Sequence, residues 1–196
     1  MNIKDYNIIL ASGSPRRIEM LKKAGASLRI IKPQCEEILH MPLEPQQIVM
    51  SLALKKGQWV EEKLTNESDL VQSNDRPSLL IASDTIVYCD RIMGKPKDED
   101  DAFRMLSELK NRPHSVFSGV YLNFIQSGRK QLLFDETRVF VNDFTDDWLR
   151  SYIKTGEPMD KAGGYAIQGL FGPMIDHIEG SYDNVVGLPL KRILEQ

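Results

Sequence analysis

The stretch that decides the fold is Ile8-Ile9-Leu10-Ala11-Ser12-Gly13-Ser14-Pro15-Arg16-Arg17-Ile18-Glu19-Met20-Leu21-Lys22-Lys23-Ala24-Gly25. Its first four residues are an apolar run of strand length, the pattern of a strand buried on both faces. Ser12-Gly13-Ser14 is a small-residue turn. Ser14 stands where a helix N-cap belongs, with Pro15 at the first helical position, where its missing N–H costs nothing. Ile18, Leu21 and Ala24 recur at helical spacing, and Gly25 is the natural stop. Strand, tight loop and helix in that order open an α/β fold.

Outward from there the same reading continues. A second helix is expected from Pro45 to Lys63, followed by a polar surface loop from Asp69 to Ser78. Leu79 to Ala82 is another buried strand, with Thr85 to Cys89 extended after it and a turn at Asp90-Arg91. Asp98 to Leu109 reads as a helix whose first turn holds Asp98, Glu99, Asp100 and Asp101, where the macrodipole favours acids. Val116, Val120, Leu122 and Phe124 fall on even positions, the period of a strand. Ser127-Gly128 is a hairpin turn, and Leu133 to Val141 is the return strand. Thr145 caps a helix carrying Trp148, Leu149, Tyr152 and Ile153, which ends at Gly156. The segment from Gly156 to Pro189 is rich in glycine and short on helical period, a composition that marks function more often than idle connection. Strands alternating with helices, then a hairpin, give an α/β fold with a mixed sheet. With no repeat or linker in sight, residues 1–196 are expected to form a single domain.

Composition narrows the function. Hydrophobic residues make up 41% and charged residues 27% of 196 residues, the mix of a soluble globular protein. No apolar run approaches the ~18 residues of a membrane span. The N-terminus lacks a cationic segment followed by an apolar one and a cleavage site, which predicts a chain that is not secreted. Twenty-five Lys and Arg against 28 Asp and Glu give a net charge of −3, which argues against bulk nucleic-acid or anionic-membrane binding. A small anion in one local basic site is still compatible. Cys35 and Cys89 have no CxxC neighbour and read as reduced, packed thiols of a cytoplasmic protein. His40, His114 and His177 are scattered, without HExxH or HxH, and read as structural or solvated.

Four segments carry candidate chemistry. The loop Ser12 to Arg17 puts a helix N-terminus and two guanidinium groups together, suited to phosphate oxygens. It matches neither a Walker A loop nor a dinucleotide fingerprint. The alternative is a capped helix with two solvated arginines, which leaves cations at the wrong end of the dipole. Stepping the second helix by ~100° per residue puts Ile48, Val49, Leu52, Ala53, Trp59 and Val60 on one arc and Lys56 in its middle. A lysine there needs an anion, either a protein carboxylate or a phosphate. Ser83-Asp84-Thr85 directly follows a buried strand, where α/β sheets bind ligands, or else Asp84 only forms a turn. Lys95, in Gly94-Lys95-Pro96, offers another fixed cation. Glu36-Glu37 is either a solvated pair or a source of hard oxygen for Mg²⁺ shared with Asp84. The fourth segment, Gly156-Glu157-Pro158-Met159-Asp160-Lys161-Ala162-Gly163-Gly164-Tyr165-Ala166-Ile167-Gln168-Gly169, is either a tight connection or a ligand loop. In the second case Gln168 offers both donor and acceptor to a base edge.

Taken in order, these segments resemble the Maf family of nucleoside triphosphate pyrophosphatases. The resemblance rests on LASGSPRR (10–17), Glu36-Glu37, Lys56, SDT (83–85), GKP (94–96), HSV (114–116), Thr137, GEPMDKAGGYAIQG (156–169) and YDNVVGLPL (182–190). It implies a mixed twisted sheet flanked by helices, two lobes around a deep cleft, a cytoplasmic homodimer, and Mg²⁺- or Mn²⁺-assisted hydrolysis of a nucleoside triphosphate to monophosphate and pyrophosphate. By position it implies Asp84 as general base and Glu36, Lys56 and Lys95 beside it in catalysis. Ser12, Arg16, Arg17, Thr85 and Gln168 would bind substrate, and Glu36 and Asp84 would hold the metal. SPRR and SDT, together with the YAIQG glutamine, resemble the branch acting on dTTP and UTP. The branch acting on 7-methyl-GTP tends to SPWR and SDQ. Pro113, Ser118 and the long polar loop from Asp69 depart from the family pattern and touch loop geometry only. The rival readings are a pyrophosphatase for a modified nucleotide such as 7-methyl-GTP, and a nucleotide-binding regulator without turnover.

Overall fold

The computed structural model describes residues 1–35, 43–65 and 76–196. Among the described residues seven strands form one sheet: β1 (Asn7–Ala11), β2 (Ser27–Ile30), β3 (Ser78–Cys89), β4 (Arg91–Met93), β5 (Pro113–Phe124), β6 (Arg129–Val141) and β7 (Ile175–Glu179). The order is β2-β1-β3-β5-β6-β7, with β4 paired to the far end of β3. β1 runs parallel to β2 and β3, and every other pairing is antiparallel, so the sheet is mixed as expected. The helices are α1 (Pro15–Lys23), α2 (Pro45–Thr65), α3 (Glu99–Leu109), α4 (Asp146–Ile153), α5 (Tyr182–Val186) and α6 (Leu190–Leu194). No described helix is long and apolar enough to cross a membrane.

Most boundaries follow the local chemistry. Asp98 is the N-cap of α3 rather than its first residue, its carboxylate accepting from the Asp101 amide. Thr145 caps α4 in the same way through the Trp148 amide. Ser14 differs: it holds the N-cap position of α1, but its hydroxyl makes no capping bond. Its own amide instead donates to Ser12 Oγ at 3.1 Å. Of the expected polar loop, residues 69–75 lie outside the described residues, and Ser78 already belongs to β3.

Two lobes hang on the long strands. In the first, α1 covers one face of β1 and β3 through Met20 and Leu21, while Ala53, Val60 and Leu64 of α2 cover the other through Ile9, Leu80, Ala82 and Tyr121. α2 lies unusually low on the sheet. A Cβ on Gly57 would overlap the Tyr121 ring, and one on Gly119 of β5 would overlap the Val49 carbonyl, so these two glycines permit the close approach. In the second lobe, α3 buries Ala102, Met105, Leu106 and Leu109, the i, i+3, i+4, i+7 stripe of an amphipathic helix. They pack on Val87, Met93, Val116 and Val139 and on the aromatic group Phe144, Tyr152, Tyr165 and Phe171. Burying a side chain such as Leu106 fully contributes ~1.5–3 kcal/mol, so Leu106→Asp would open this lobe.

The register creates an opening between the lobes. β1 ends at Ala11, paired with Ala82, while β4 begins to pair only at Val87. On that side of β3, Ser83 to Ile86 therefore have no neighbouring strand among the described residues.

Candidate active site

A cavity of about 1190 Å³ fills that opening, roomy beside the ~300–1,000 Å³ of ordinary small-molecule sites. One wall is the Ser12–Arg17 loop and the start of α1. The floor is Asp84, Thr85 and Ile86 of β3 with Lys56 of α2. The other wall is Gly94-Lys95 and the segment from Asp160 to Gln168. Ser12, Arg16, Arg17, Lys56, Asp84, Thr85, Lys95 and Gln168, spread over the whole chain, thus border one cleft. Glu36, Glu37 and His40 lie outside the described residues.

At the floor, Lys56 is 9% and Asp84 7% exposed, and Lys56 Nζ meets Asp84 Oδ1 at 2.5 Å. The lysine in the apolar stripe and the carboxylate at the strand opening form one ion pair. The low seat of α2 explains it, because Lys56 adjoins Gly57 and Asp84 is the register partner of Gly119. Asp84 meets the lysine through Oδ1.

Arg17 serves the wall itself. Its Nε donates to Gly187 O at 2.7 Å, its Nη1 to Ser12 Oγ at 3.3 Å and its Nη2 to Thr85 Oγ1 at 3.0 Å. Thr85 Oγ1 lies 2.8 Å from Ser118 Oγ, which donates to Asn184 O at 3.1 Å. Thr85 Oγ1 also reaches Gly187 O at 3.3 Å, so its single hydrogen goes to Ser118 Oγ or to that carbonyl while the oxygen accepts from Arg17. Asn184 in turn donates to Val116 O at 2.9 Å and Thr137 Oγ1 at 3.0 Å, which fixes α5 on β5 and β6. The forked guanidinium thus locks α1, β3 and α5 together. Residues 182–190 carried no visible chemistry in the sequence, yet they present the Gly187 carbonyl to Arg17.

Arg16, one residue earlier, points across the cleft. Its charge helps Lys161 hold the Asp160 carboxyl below its ordinary range, Lys161 being the larger cause. Lys161 also donates to Glu157 O at 2.9 Å. The Lys95 loop is tied to the same wall by the Gly163 amide donating to Gly94 O at 3.0 Å. Sequence reasoning missed Lys32, which lines the cleft with its stem beside Gly13 and carries no motif signal. It also passed over Asp160 and Lys161, although both stand in a segment singled out for other reasons. Behind this wall His114 Nε2 lies 2.6 Å from Tyr165 Oη, and burial pushes the imidazole down to about 4. It is the neutral, structural histidine expected.

Among the described residues the cleft is bordered by six cations, Arg16, Arg17, Lys32, Lys56, Lys95 and Lys161, and by two carboxylates, Asp84 and Asp160. Such a surface in a concave, partly desolvated site recognises a polyanion. No group of three or more His, Cys, Asp or Glu among the described residues is arranged to hold a metal ion. Asp84 and Asp160 are the carboxylates that border the cleft among the described residues, and Mg²⁺ is commonly held by one or two carboxylates plus substrate phosphates.

The family model described as Maf-like protein matches residues 7–196. The dTTP/UTP pyrophosphatase of Acetivibrio thermocellus is 42% identical over 186 residues, covering 95% of this chain and 91% of its own length. Proteins of the same name from Caldicellulosiruptor saccharolyticus and Agathobacter rectalis are 40% and 42% identical, covering 95% and 96% of this chain and 90% and 95% of their own.

Proposed function

The chain belongs to the Maf family, and from that premise and the geometry of the cleft we propose that it is a hydrolase of nucleoside triphosphates that releases pyrophosphate from dTTP and UTP. The observation that carries this reading is the meeting of five cations with the buried Lys56–Asp84 pair in the opening of the sheet. The names of the relatives supply the substrate class, and the cleft supplies the means.

The N-terminus of α1 and Arg16, Lys32 and Lys95 receive the phosphate chain, whose charge they neutralise as it redistributes in the transition state. Lys56 reaches the same place from the floor. Asp84 orients the attacking water and accepts its proton at Oδ2, its other oxygen being held by Lys56. Attack falls on the α-phosphorus, and pyrophosphate leaves. A proton acceptor placed in this way contributes 10²–10⁴ in rate. A bound Mg²⁺ or Mn²⁺, held by Asp84 and by Glu36 of the segment outside the described residues, would stabilise the negative charge of the phosphate oxygens. Gln168 faces the nucleobase, its amide matching part of the acceptor–donor–acceptor edge of uracil or thymine. Adenine would strand that amide. The working form in this reading is a cytoplasmic homodimer, which light scattering of the purified protein checks.

The test is pyrophosphate release from dTTP, UTP, CTP, ATP, GTP and 7-methyl-GTP on one preparation, with and without chelator. We expect dTTP and UTP at the top of the kcat/KM ranking and loss of turnover with chelator. A purine or 7-methyl-GTP at the top refutes the base assignment. Nucleotide binding without turnover makes the protein a regulator instead.

A further inference from the structure

Gln168 stands exposed at the crown of a short arch. The feet of the arch are Tyr165 and Phe171, both buried, with ring centroids 5.0 Å apart in the aromatic group of the second lobe. Turn hydrogen bonds shape the crown: the Gly169 amide donates to Ala166 O and the Gly172 amide to Gly169 O, each at 3.0 Å. Beneath it sits the carboxylate of Glu157. Its Oε1 accepts from Tyr152 Oη at 3.0 Å and from the Leu170 amide at 3.1 Å, and its Oε2 lies 3.0 Å from the same amide. Tyr152 Oη also lies 3.3 Å from the carbonyl of Gly164. One phenol–carboxylate pair therefore binds the chain both before and after Gln168. A Cβ on Gly169 would overlap the carboxylate, so the backbone next to Gln168 rests directly on Glu157.

Glu157 is not among the residues that border the cleft. Its bonds are of the charge-assisted kind, about twice as strong as neutral ones. The burial of Tyr152 and the charge of Glu157 both hold the phenol protonated, so it remains a donor across the working pH range.

We propose that Glu157, through the Leu170 amide, the Tyr152 hydroxyl and its contact with Gly169, is the positioning residue that sets Gln168 against the nucleobase, and so governs which base is accepted. The inference rests on the pyrophosphatase reading above. Phosphate chemistry at Asp84 and Lys56 belongs to other elements and is left intact when the arch shifts. Base selection and turnover are then separable, which a carboxylate that merely stabilised the lobe would not allow.

The experiment measures kcat and KM for UTP and ATP, with thermal unfolding, in wild type, Glu157→Gln, Glu157→Ala, Gln168→Ala and the double variant Glu157→Gln/Gln168→Ala. Glu157→Gln is nearly isosteric and carries the test should the alanine variant fail to fold. The UTP-over-ATP ratio of kcat/KM should fall about tenfold in Glu157→Gln, through KM for UTP, with kcat for both nucleotides changed less than about threefold. In the Gln168→Ala background the same substitution should change that ratio less than about twofold, because its route of action is gone. An unchanged ratio overturns the proposal, as does an equal loss of kcat for both nucleotides alongside a fall in Tm, or a full effect in the absence of Gln168. A selective wild type whose selectivity survives Glu157→Gln refutes this inference alone. A wild type without pyrophosphate release or without base preference refutes the reading of the site and this inference with it.

Discussion

Replacing Lys56 with methionine separates two effects that the sequence alone leaves entangled. On the helix stripe the position is surrounded by apolar residues, and a methionine there would be expected to match the stability of the lysine or exceed it. The structure reverses the sign. Lys56 Nζ lies 2.5 Å from Asp84 Oδ1, and both side chains are about one-tenth exposed, 11% and 10%. Methionine keeps the aliphatic volume, so the packing contributions nearly cancel. What remains is a buried carboxylate deprived of its cation, which costs about 3–5 kcal/mol. Because Asp84 borders an open cleft that water enters, the lower figure applies, about 3 kcal/mol. At ~2–4 °C per kcal/mol for a domain of this size, Tm should fall by roughly 6–12 °C. Adding Asp84→Asn removes the stranded charge and should recover more than half of the loss, a coupling well above the ~0.5 kcal/mol within which independent sites add. The assay is thermal unfolding of wild type, both single variants and the double variant in one buffer. A Lys56→Met protein at or above wild-type Tm, or strictly additive losses, would refute the argument.

The remaining expectations are shorter. Asp84→Asn should lower kcat by ~10²–10⁴ while equilibrium binding of a nucleotide persists; wild-type kcat would remove Asp84 from the base role. Arg17→Lys cannot reproduce three diverging bonds and should cost about 2–4 kcal/mol of stability. Arg16→Ala should instead leave stability within about 0.5 kcal/mol and raise KM; calorimetry with steady-state kinetics distinguishes the neighbours. His114 titrates at about 4 in the fold against ~6.5 unfolded, so below 6.5 the unfolded chain binds the extra proton. Its contribution is intact above pH ~6.5 and is lost as pH falls through about 4, up to ~3 kcal/mol in all. His114→Phe should be less stable at neutral pH, with Tyr165 Oη left without its partner, yet show a flatter pH curve between 6.5 and 4; parallel curves would contradict the assignment.

What the sequence revealed follows from how local each cause is. β1, the loop and α1 are fixed by a handful of adjacent residues, and the period of α2 correctly placed Lys56 on the buried face. β2 was not legible, because Ser27–Ile30 pairs only along β1 and has an exposed, irregular burial pattern. β7, α5 and α6 escaped for a related reason. Each is only five residues long, and α5 is held by Asn184 and Thr137, whose partners lie more than forty residues away in sequence. The cations of the cleft were visible one by one. That Arg17 braces the wall while Arg16 faces across it could not be read from two adjacent arginines. The difference depends on the Gly187 carbonyl, which approaches through tertiary packing alone.

The two walls of the cleft are built by different physical means, and this shapes how such a site can change. The floor and the α1 wall combine a long strand, a low-seated helix and an arginine with three bonds, so displacing any one member disturbs the others. The opposite wall is made of short turns, from Asp160 to Gln168, supported from behind by Glu157, Tyr152 and His114. A substitution there shifts a few backbone atoms against an intact floor. In the proposed reading chemistry lies at the floor and base recognition at the opposite wall, so base preference can change while the reaction stays fixed. Substitutions behind the arch should therefore alter the ranking of substrates before they alter kcat, and substitutions at the floor should do the reverse.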